Sequence, residues 1–274
     1  MALGNKSTLD LIDTVDPSTP TGIQLSVKSA DDLHHAMNQL ESLSETSRPH
    51  FKNIRVIDLN FGCPSKDVIG EGGGPALLKR RTKLYSIFRA LVERKRSSPW
   101  GQLGAVGAKI RLGLNQREQS QRVYLGVVEA ANLAGLDYLT VHARNASQRS
   151  RDDVTWSAIR EVKEIASMPV IGNGNVRNYA DMCRMRTETG CDAVMLARAA
   201  IANPWVFRDL QLCGMRETVP AVNEVDEAAS EYMQWAERAK TKLKYLEFHR
   251  SNFSRLRSDR LETLPTIPQN AHMS

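Results

Sequence analysis

The sequence predicts an α/β fold of parallel strand–helix units followed by a small helical segment. Three observations carry this. Short runs rich in Val, Ile and Leu recur at 22–27, 54–60, 106–112, 138–142, 169–173 and 193–197. Stretches of helical periodicity separate them, at 30–43, 76–94, 116–134, 156–166 and 179–186. Beyond about residue 215 the strand signals stop, and Ala228, Tyr232, Trp235, Ala239, Leu243 and Leu246 recur at helical spacing. Buried strands that alternate regularly with helices indicate parallel βαβ units, because parallel neighbours need a crossover and the helices cover the sheet.

Each element then has its own reason. Residues 1–21 contain Asp10, Asp13 and Asp16 and lack an apolar core, so they read as neither signal nor transit peptide. The run 22–27 alternates as a strand and carries Gln24. In 54–60 the β-type run Val56-Ile57-Asp58-Leu59-Asn60 ends at Gly62, and Pro64 fixes the exit direction. A cysteine on that tight turn, Cys63, stands beside Asn60 and Lys66. A lone cysteine is commonly a small buried hydrophobe, but a thiol displayed at a strand end suits proton or nucleophile chemistry. The glycine run Gly72-Gly73-Gly74 leads into the next helical stretch.

The third run, Gly107-Ala-Lys-Ile-Arg-Leu-Gly113, places Lys109 and Arg111 among apolar strand residues. A lysine there is either paired structurally or functional, since burying it alone is costly. The fourth run ends in His142 and Arg144, the fifth in Asn173 and Gly174, and the sixth in Ala197 and Arg198. His142 reads equally as a hydrogen-bonded core histidine. Backbone N–H groups in a glycine turn after a buried strand suit a phosphate, and Arg198 offers a bidentate contact. Six consecutive strand ends with polar residues match the face on which parallel α/β barrels carry their active sites. Residues 22–214 therefore read as one strand–helix domain, 220–260 as a helical domain reached through a linker with Pro220, and 261–274 as a tail.

Composition narrows the function. The chain has 274 residues, 41% hydrophobic, with a formal charge of +6. That charge permits a polyanionic partner or merely a basic enzyme. No run approaches the roughly 20 apolar residues of a membrane helix. Cys63, Cys183, Cys191 and Cys213 show no CxxC spacing, which argues against a metal site or disulfide framework and for a reducing compartment. Cytoplasmic residence is expected, with nucleus or organelle left open, as is the oligomeric state. Two basic clusters stand out: Lys79, Arg80, Arg81, Lys83, Arg89, Arg94, Lys95 and Arg96, then Lys240, Lys242, Lys244, Arg250, Arg255, Arg257 and Arg260. Each reads as a solvated helix face or as nucleic-acid backbone contact, and Arg144, Arg149 and Arg151 add a third basic loop.

Asn60-Phe-Gly-Cys-Pro-Ser-Lys66 with Gly-Gly-Gly-Pro-Ala-Leu-Leu78 resembles the signature of the tRNA-dihydrouridine synthases. The resemblance continues through Lys109-Ile-Arg-Leu-Gly113, Val141-His-Ala-Arg144, Pro169-Val-Ile-Gly-Asn-Gly174 and Val194-Met-Leu-Ala-Arg-Ala-Ala200. It implies an FMN-dependent TIM barrel followed by a helical tRNA-binding domain, with NADPH as electron source and uridine in tRNA reduced to 5,6-dihydrouridine. By the same match Cys63 is the acid that protonates C5. Asn60 holds the uracil edge, and Lys66, Arg111 and Arg144 are further substrate-binding residues. Gln24, Lys109 and His142 line the flavin; Asn173, Gly174, Ala197 and Arg198 hold its phosphate. The family's first two strands, the first ending in an Ala-Pro-Met type turn, have no counterpart before residue 22, so six barrel strands are expected rather than eight, with two exposed edges. Two other readings stand beside this one: an FMN barrel acting on a small molecule, like the dihydroorotate dehydrogenases, and an inactive tRNA-binding remnant.

Overall fold

A computed structural model describes residues 21–97, 103–215, 223–238 and 243–262. They form two compact units, one reaching to Val176 together with Met182–Met195, the other containing Arg177–Asp181 and the chain from Leu196 onward.

The first unit is built on six parallel strands in sequence order: β1 (Thr21–Leu25), β2 (Ile54–Phe61), β3 (Ala105–Arg111), β4 (Tyr138–His142), β5 (Val170–Asn173) and β6 (Ala193–Met195). All six expected strands form, and the TIM-barrel-like sheet is not closed among the described residues: β1 and β6 are its edges. The helices between strands are α1 (Ala30–Thr46), α2 (Lys66–Gly70), α3 (Arg81–Ser97), α4 (Gln116–Ser120), α5 (Val123–Ala134), α6 (Trp156–Ile165) and α7 (Tyr179–Thr189).

Strand alternation separates two faces. On β2, Ile57, Leu59 and Phe61 are fully buried, as are Val106, Ala108 and Ile110 on β3 and Leu139 and Val141 on β4. The helices meet this face with Leu33, Met37, Leu40, Leu84, Ile87, Phe88, Leu91, Val127, Val128, Ile159 and Val162, all buried. Each such side chain contributes about 1.5–3 kcal/mol relative to exposure. Residues on the opposite face are Gln24, then Asp58 and Asn60, then Gly107, Lys109 and Arg111, then Tyr138, Thr140 and His142. Register aligns them laterally: Gln24 with Asp58, Asp58 with Gly107, Asn60 with Lys109, Gly107 with Tyr138 and Arg111 with His142.

Local chemistry moved several expected boundaries. α1 starts where Ser29 accepts from the Asp32 N–H at 3.1 Å, an N-cap. The helix expected over 76–94 begins only at Arg81, after a 3-10 turn at Gly74–Leu77. The stretch expected as one helix over 116–134 is two, because Arg122 adopts a left-handed φ of 53° between α4 and α5. α5 stops at Gly135, whose φ of 81° suits a C-cap glycine.

The second unit holds α8 (Arg198–Ala202), α9 (Val206–Met215), α10 (Asn223–Arg238) and α11 (Leu243–Glu262). The helical stretch expected from 224 to 257 is thus a pair. Tyr232 of α10 lies against His249 and Phe253 of α11, with ring centroids 4.6 and 5.9 Å apart, and Arg257 pairs with Asp226 at 3.0 Å. The expected amino-terminal segment 1–20, most of the linker and the tail beyond 262 lie outside the described residues. No helix among the described residues is long and apolar enough to cross a membrane.

Candidate active site

The turn after β2 is held by the strand that delivers it. Asn60 Oδ1 accepts from the backbone N–H of Gly62 at 3.0 Å and of Cys63 at 2.9 Å. Its Nδ2 donates to Gln24 Oε1 at 2.7 Å. From the other side, Arg111 Nε donates to the Gly62 carbonyl at 2.7 Å. The glycine run closes the turn from below. Gly74 has φ 53°, and a Cβ there would stand 3.2 Å from the Cys63 carbonyl and 3.0 Å from Val68. The two halves of the motif are therefore one object, and glycine at 74 is required by both conformation and space. The Cys63 thiol is half-buried and has no hydrogen-bond partner among the described residues. Lys66 opens the short α2 and is exposed.

Behind the turn lies a polar cluster on the same face. Gln24 Nε2 donates to Asp58 Oδ2 at 2.5 Å, and the Tyr138 hydroxyl donates to Asp58 Oδ1 at 3.0 Å. Burial pushes the Asp58 carboxyl up, while the Gln24 and Tyr138 hydrogen bonds and the Lys109 cation hold it down. Burial, then the neighbouring Arg111 cation, lowers the Lys109 ammonium, against the pull of Asp58 and Cys63. Burial, then Arg144, likewise lowers Arg111, opposed by Cys63. Two cations and a carboxylate thus share a half-covered face beside the thiol.

The loop after β4 is built differently. Arg144 is only 2% exposed. Its Nε donates to the Asp152 carbonyl at 2.9 Å, and its second nitrogen to the carbonyls of Ser150 and Asp152 and, at 3.0 Å, to Asn175 Oδ1. This guanidinium organises the loop and Asn175, which has a left-handed φ of 56°. The expected role of Arg144 as a substrate contact does not suit a side chain buried in this way. Asn145, 1% exposed, is a second hub: it accepts from Ser147 and Gln148 N–H groups, donates to Gln119 at 2.8 Å, and offers its carbonyl to Arg111 at 3.0 Å.

His142 is half-buried next to the Gly174 turn, where a Cβ on Gly174 would come within 3.5 Å of its ring. Gly174 has φ 135°, and its carbonyl accepts from Trp156 Nε1 at 3.0 Å. Asn173 Nδ2 donates to the Met195 carbonyl at 2.8 Å and so ties β5 to β6. Ala197 and Arg198 open α8 in the second unit, and their expected part in holding a phosphate rests on the sequence motif alone. No cluster of three or more metal-ligating side chains occurs among the described residues.

The structure therefore gathers Gln24, Asn60, Cys63, Lys109, Arg111 and His142 on one face. It adds Asp58, Tyr138 and Asn145, which the sequence reading did not single out. Asp58 lies two residues before Asn60 in a strand, so period-two alternation already placed both on one face. Tyr138 required the strand register, and Asn145 the hydrogen bonds of the loop after β4.

The basic helix also changes meaning. Arg81 pairs with Glu129 at 2.5 Å, Arg89 with Glu93 at 2.8 Å, Arg94 with Glu41 at 2.5 Å, and Lys95 with Asp137 at 2.8 Å. Much of that cluster is neutralised by its own neighbours. In the second unit Arg250 and Arg255 are exposed; Lys240, Lys242 and the Arg260 side chain lie outside the described residues.

Six parallel strands in sequence order, with polar side chains at their carboxyl ends, have the arrangement of the TIM-barrel fold. The profile of the dihydrouridine synthase (Dus) family matches residues 1–268, and the chain belongs to that family. It is 34% identical over 201 residues to a probable tRNA-dihydrouridine synthase of Aquifex aeolicus, covering 70% of this chain and 60% of the relative. It is 30% identical over 183 residues to a probable tRNA-dihydrouridine synthase of Rickettsia conorii, covering 66% and 52%. To the tRNA-dihydrouridine(16) synthase of Haemophilus influenzae it is 33% identical over 190 residues, covering 69% and 53%. The chain spans about half the length of these curated relatives.

Proposed function

We propose that this chain carries the catalytic face of a tRNA uridine reductase that forms 5,6-dihydrouridine, with Cys63 as the proton donor to C5. The observation that carries the reading is the Cys63 turn. Asn60 and Arg111 pin its backbone, while the thiol itself is left unbonded beside two cations. Membership of the Dus family supports the same reading.

The donor set on the open face suits FMN. Gln24, Asn60, Lys109, Arg111 and His142 offer amide, ammonium, guanidinium and imidazole groups to one side of the sheet, and a cation lowered by burial favours an electron-rich heteroaromatic edge. Lys109, His142 and Gln24 would line it, with Asn173 and Gly174 at the adjoining strand end. Bound there and reduced by NADPH, FMN would supply the hydride for C6 of the uracil. The chain's own residues do the rest. Negative charge that develops over C5 and O4 is stabilised by Lys109 and Arg111. The Cys63 thiol delivers its proton to C5, so the C5–C6 double bond becomes single. The target uridine must leave the tRNA fold to reach this face, which implies base extrusion. Lys66, exposed at the start of α2, would contact the substrate. Arg250 and Arg255, exposed on α11, favour the helical unit as the tRNA backbone contact over the ion-paired α3.

The test is single-turnover reduction of unmodified tRNA by the full chain loaded with FMN and NADPH. Wild type is expected to form dihydrouridine, and Cys63→Ala to be slower by roughly 100-fold. Equal rates would remove Cys63 as the acid. No product from the loaded wild-type chain would remove the reductase reading.

A further inference from the structure

We propose that Asp58 and Tyr138 are positioning residues for Cys63, acting through a relay in which one carboxylate fixes the orientation of two side-chain amides in series. The catalytic consequence rests on Cys63 being the proton donor; the relay itself does not.

The relay crosses four strands. Gly107 on β3 lies between Asp58 on β2 and Tyr138 on β4 in the register of the sheet. A Cβ on Gly107 would stand 2.4 Å from the Tyr138 ring. The ring therefore lies across β3 in the space that only glycine leaves, and its hydroxyl reaches over the strand to Asp58 Oδ1 at 3.0 Å. The other carboxylate oxygen takes Gln24 Nε2 on β1.

An ionised carboxylate accepts and cannot donate. Gln24 must turn its NH2 toward Asp58, which leaves Oε1 toward Asn60. Asn60 must then present Nδ2 to Gln24, at 2.7 Å, which leaves Oδ1 toward the turn. There it meets two groups that only donate, the N–H of Gly62 and of Cys63. Both ends of the chain of bonds require the same orientation of both amides. Reversing one amide sets donor against donor. The Lys109 cation beside the cluster helps keep Asp58 charged against its burial.

Changing Asp58 to Asn removes the rule at one end, and the turn's N–H groups alone are left to hold Asn60. The new amide can donate to Gln24 as well as accept from it, so Gln24 can turn its NH2 toward Asn60; Asn60 Nδ2 then loses its acceptor, and Asn60 Oδ1 is held only by the Gly62 and Cys63 N–H groups. Moving the carboxylate one strand over restores the rule. With Gln24→Glu added, the carboxylate at 24 accepts from the amide at 58 and from Asn60, and Asn60 Oδ1 again faces the turn. The net charge of the double variant equals that of wild type.

The experiment is peptide-resolved alkylation of the full chain by iodoacetamide, without cofactor. It reads the rate at Cys63 relative to Cys183, which is half-buried on α7 and serves as internal reference. Asp58→Asn is expected to raise that ratio roughly fivefold, the effect of losing one hydrogen bond. Asp58→Asn with Gln24→Glu is expected to return within about twofold of wild type. Tyr138→Phe, which keeps the ring over Gly107, is expected to raise the ratio about twofold. An unchanged ratio in Asp58→Asn, or a raised ratio that Gln24→Glu does not lower, overturns the relay. Where Asp58→Asn alone does not fold, a folded double variant with a wild-type ratio supports the relay, and a double variant that is also unfolded overturns it. Dihydrouridine formation is read separately, so loss of the reductase reading leaves the alkylation result intact.

Discussion

Two loops leave strands of the same sheet, each after a polar strand-end residue, yet they use their polar side chains in opposite ways. The turn after β2 is fixed through its backbone, by Asn60 and Arg111, and the Cys63 thiol at its tip stays without a hydrogen-bond partner among the described residues. The loop after β4 is fixed through a side chain at its base: Arg144 binds the carbonyls of Ser150 and Asp152 and the Asn175 side chain, and is buried in doing so. A strand-end polar residue is thus reactive or architectural according to which side of the hydrogen bonds it sits on. A turn that displays a reactive group needs its support to come from elsewhere.

The largest expected effect separates the two loops by stability. Arg144→Leu removes the guanidinium's hydrogen bonds to the Ser150 and Asp152 carbonyls and to Asn175, and hydrogen bonds to a charged group contribute about 1.5–3 kcal/mol each, less where the acceptor is partly exposed. Urea unfolding is expected to show a loss of roughly 3 kcal/mol or more, allowing for some rehydration of the loop. Cys63→Ala, which removes no hydrogen bond, is expected to leave the midpoint close to wild type. A mild effect at Arg144 would show that the loop is not held by its guanidinium.

A smaller effect tests the support behind the turn. Gly107→Ala places a methyl 2.4 Å from the Tyr138 ring, so the ring must shift. Overpacking of this kind costs about 1–3 kcal/mol. With Tyr138→Ala already present the same methyl has room, so the double-variant cycle is expected to be strongly non-additive. Additive unfolding energies would mean that ring and glycine do not share that space.

The contrast also marks what was readable in the sequence. The six strands were legible because alternation and Val/Ile/Leu content report burial directly, and the Cys63 turn because Gly62, Pro64 and the glycine run are local signals. Asp58 was within reach of the same alternation argument. The role of Arg144 was not legible, because its partners include backbone carbonyls of Ser150 and Asp152, which any residue type would supply. Tyr138 was hidden for another reason: its partner is 80 residues away, and only the register of three strands brings them together. The basic stretch 79–96 left two readings open, because its pairing with Glu41, Glu129 and Asp137, remote in sequence, could not be seen from composition. The break between α4 and α5 turns on one left-handed residue, Arg122, at which arginine gives no warning.

The finest distinction concerns charge on the open face and is read from pH. Lys109 is lowered from its ordinary value of 10.5, chiefly by burial. Below its folded value the ammonium is charged in both states, and its burial opposes folding in full. Between the folded value and 10.5 the unfolded chain binds more protons than the folded one, so stability rises with pH across that window. Lys109→Met has no such window. The stability of wild type minus that of Lys109→Met is therefore expected to grow in favour of wild type as pH rises toward 10.5, by less than either loop effect above. Tyr138, raised by burial and by Asp58, loses stability only as pH climbs past its ordinary 10.0, and it is common to both proteins. A difference that stays flat with pH would place the Lys109 ammonium in solvent and remove it from the buried charge cluster beside Cys63.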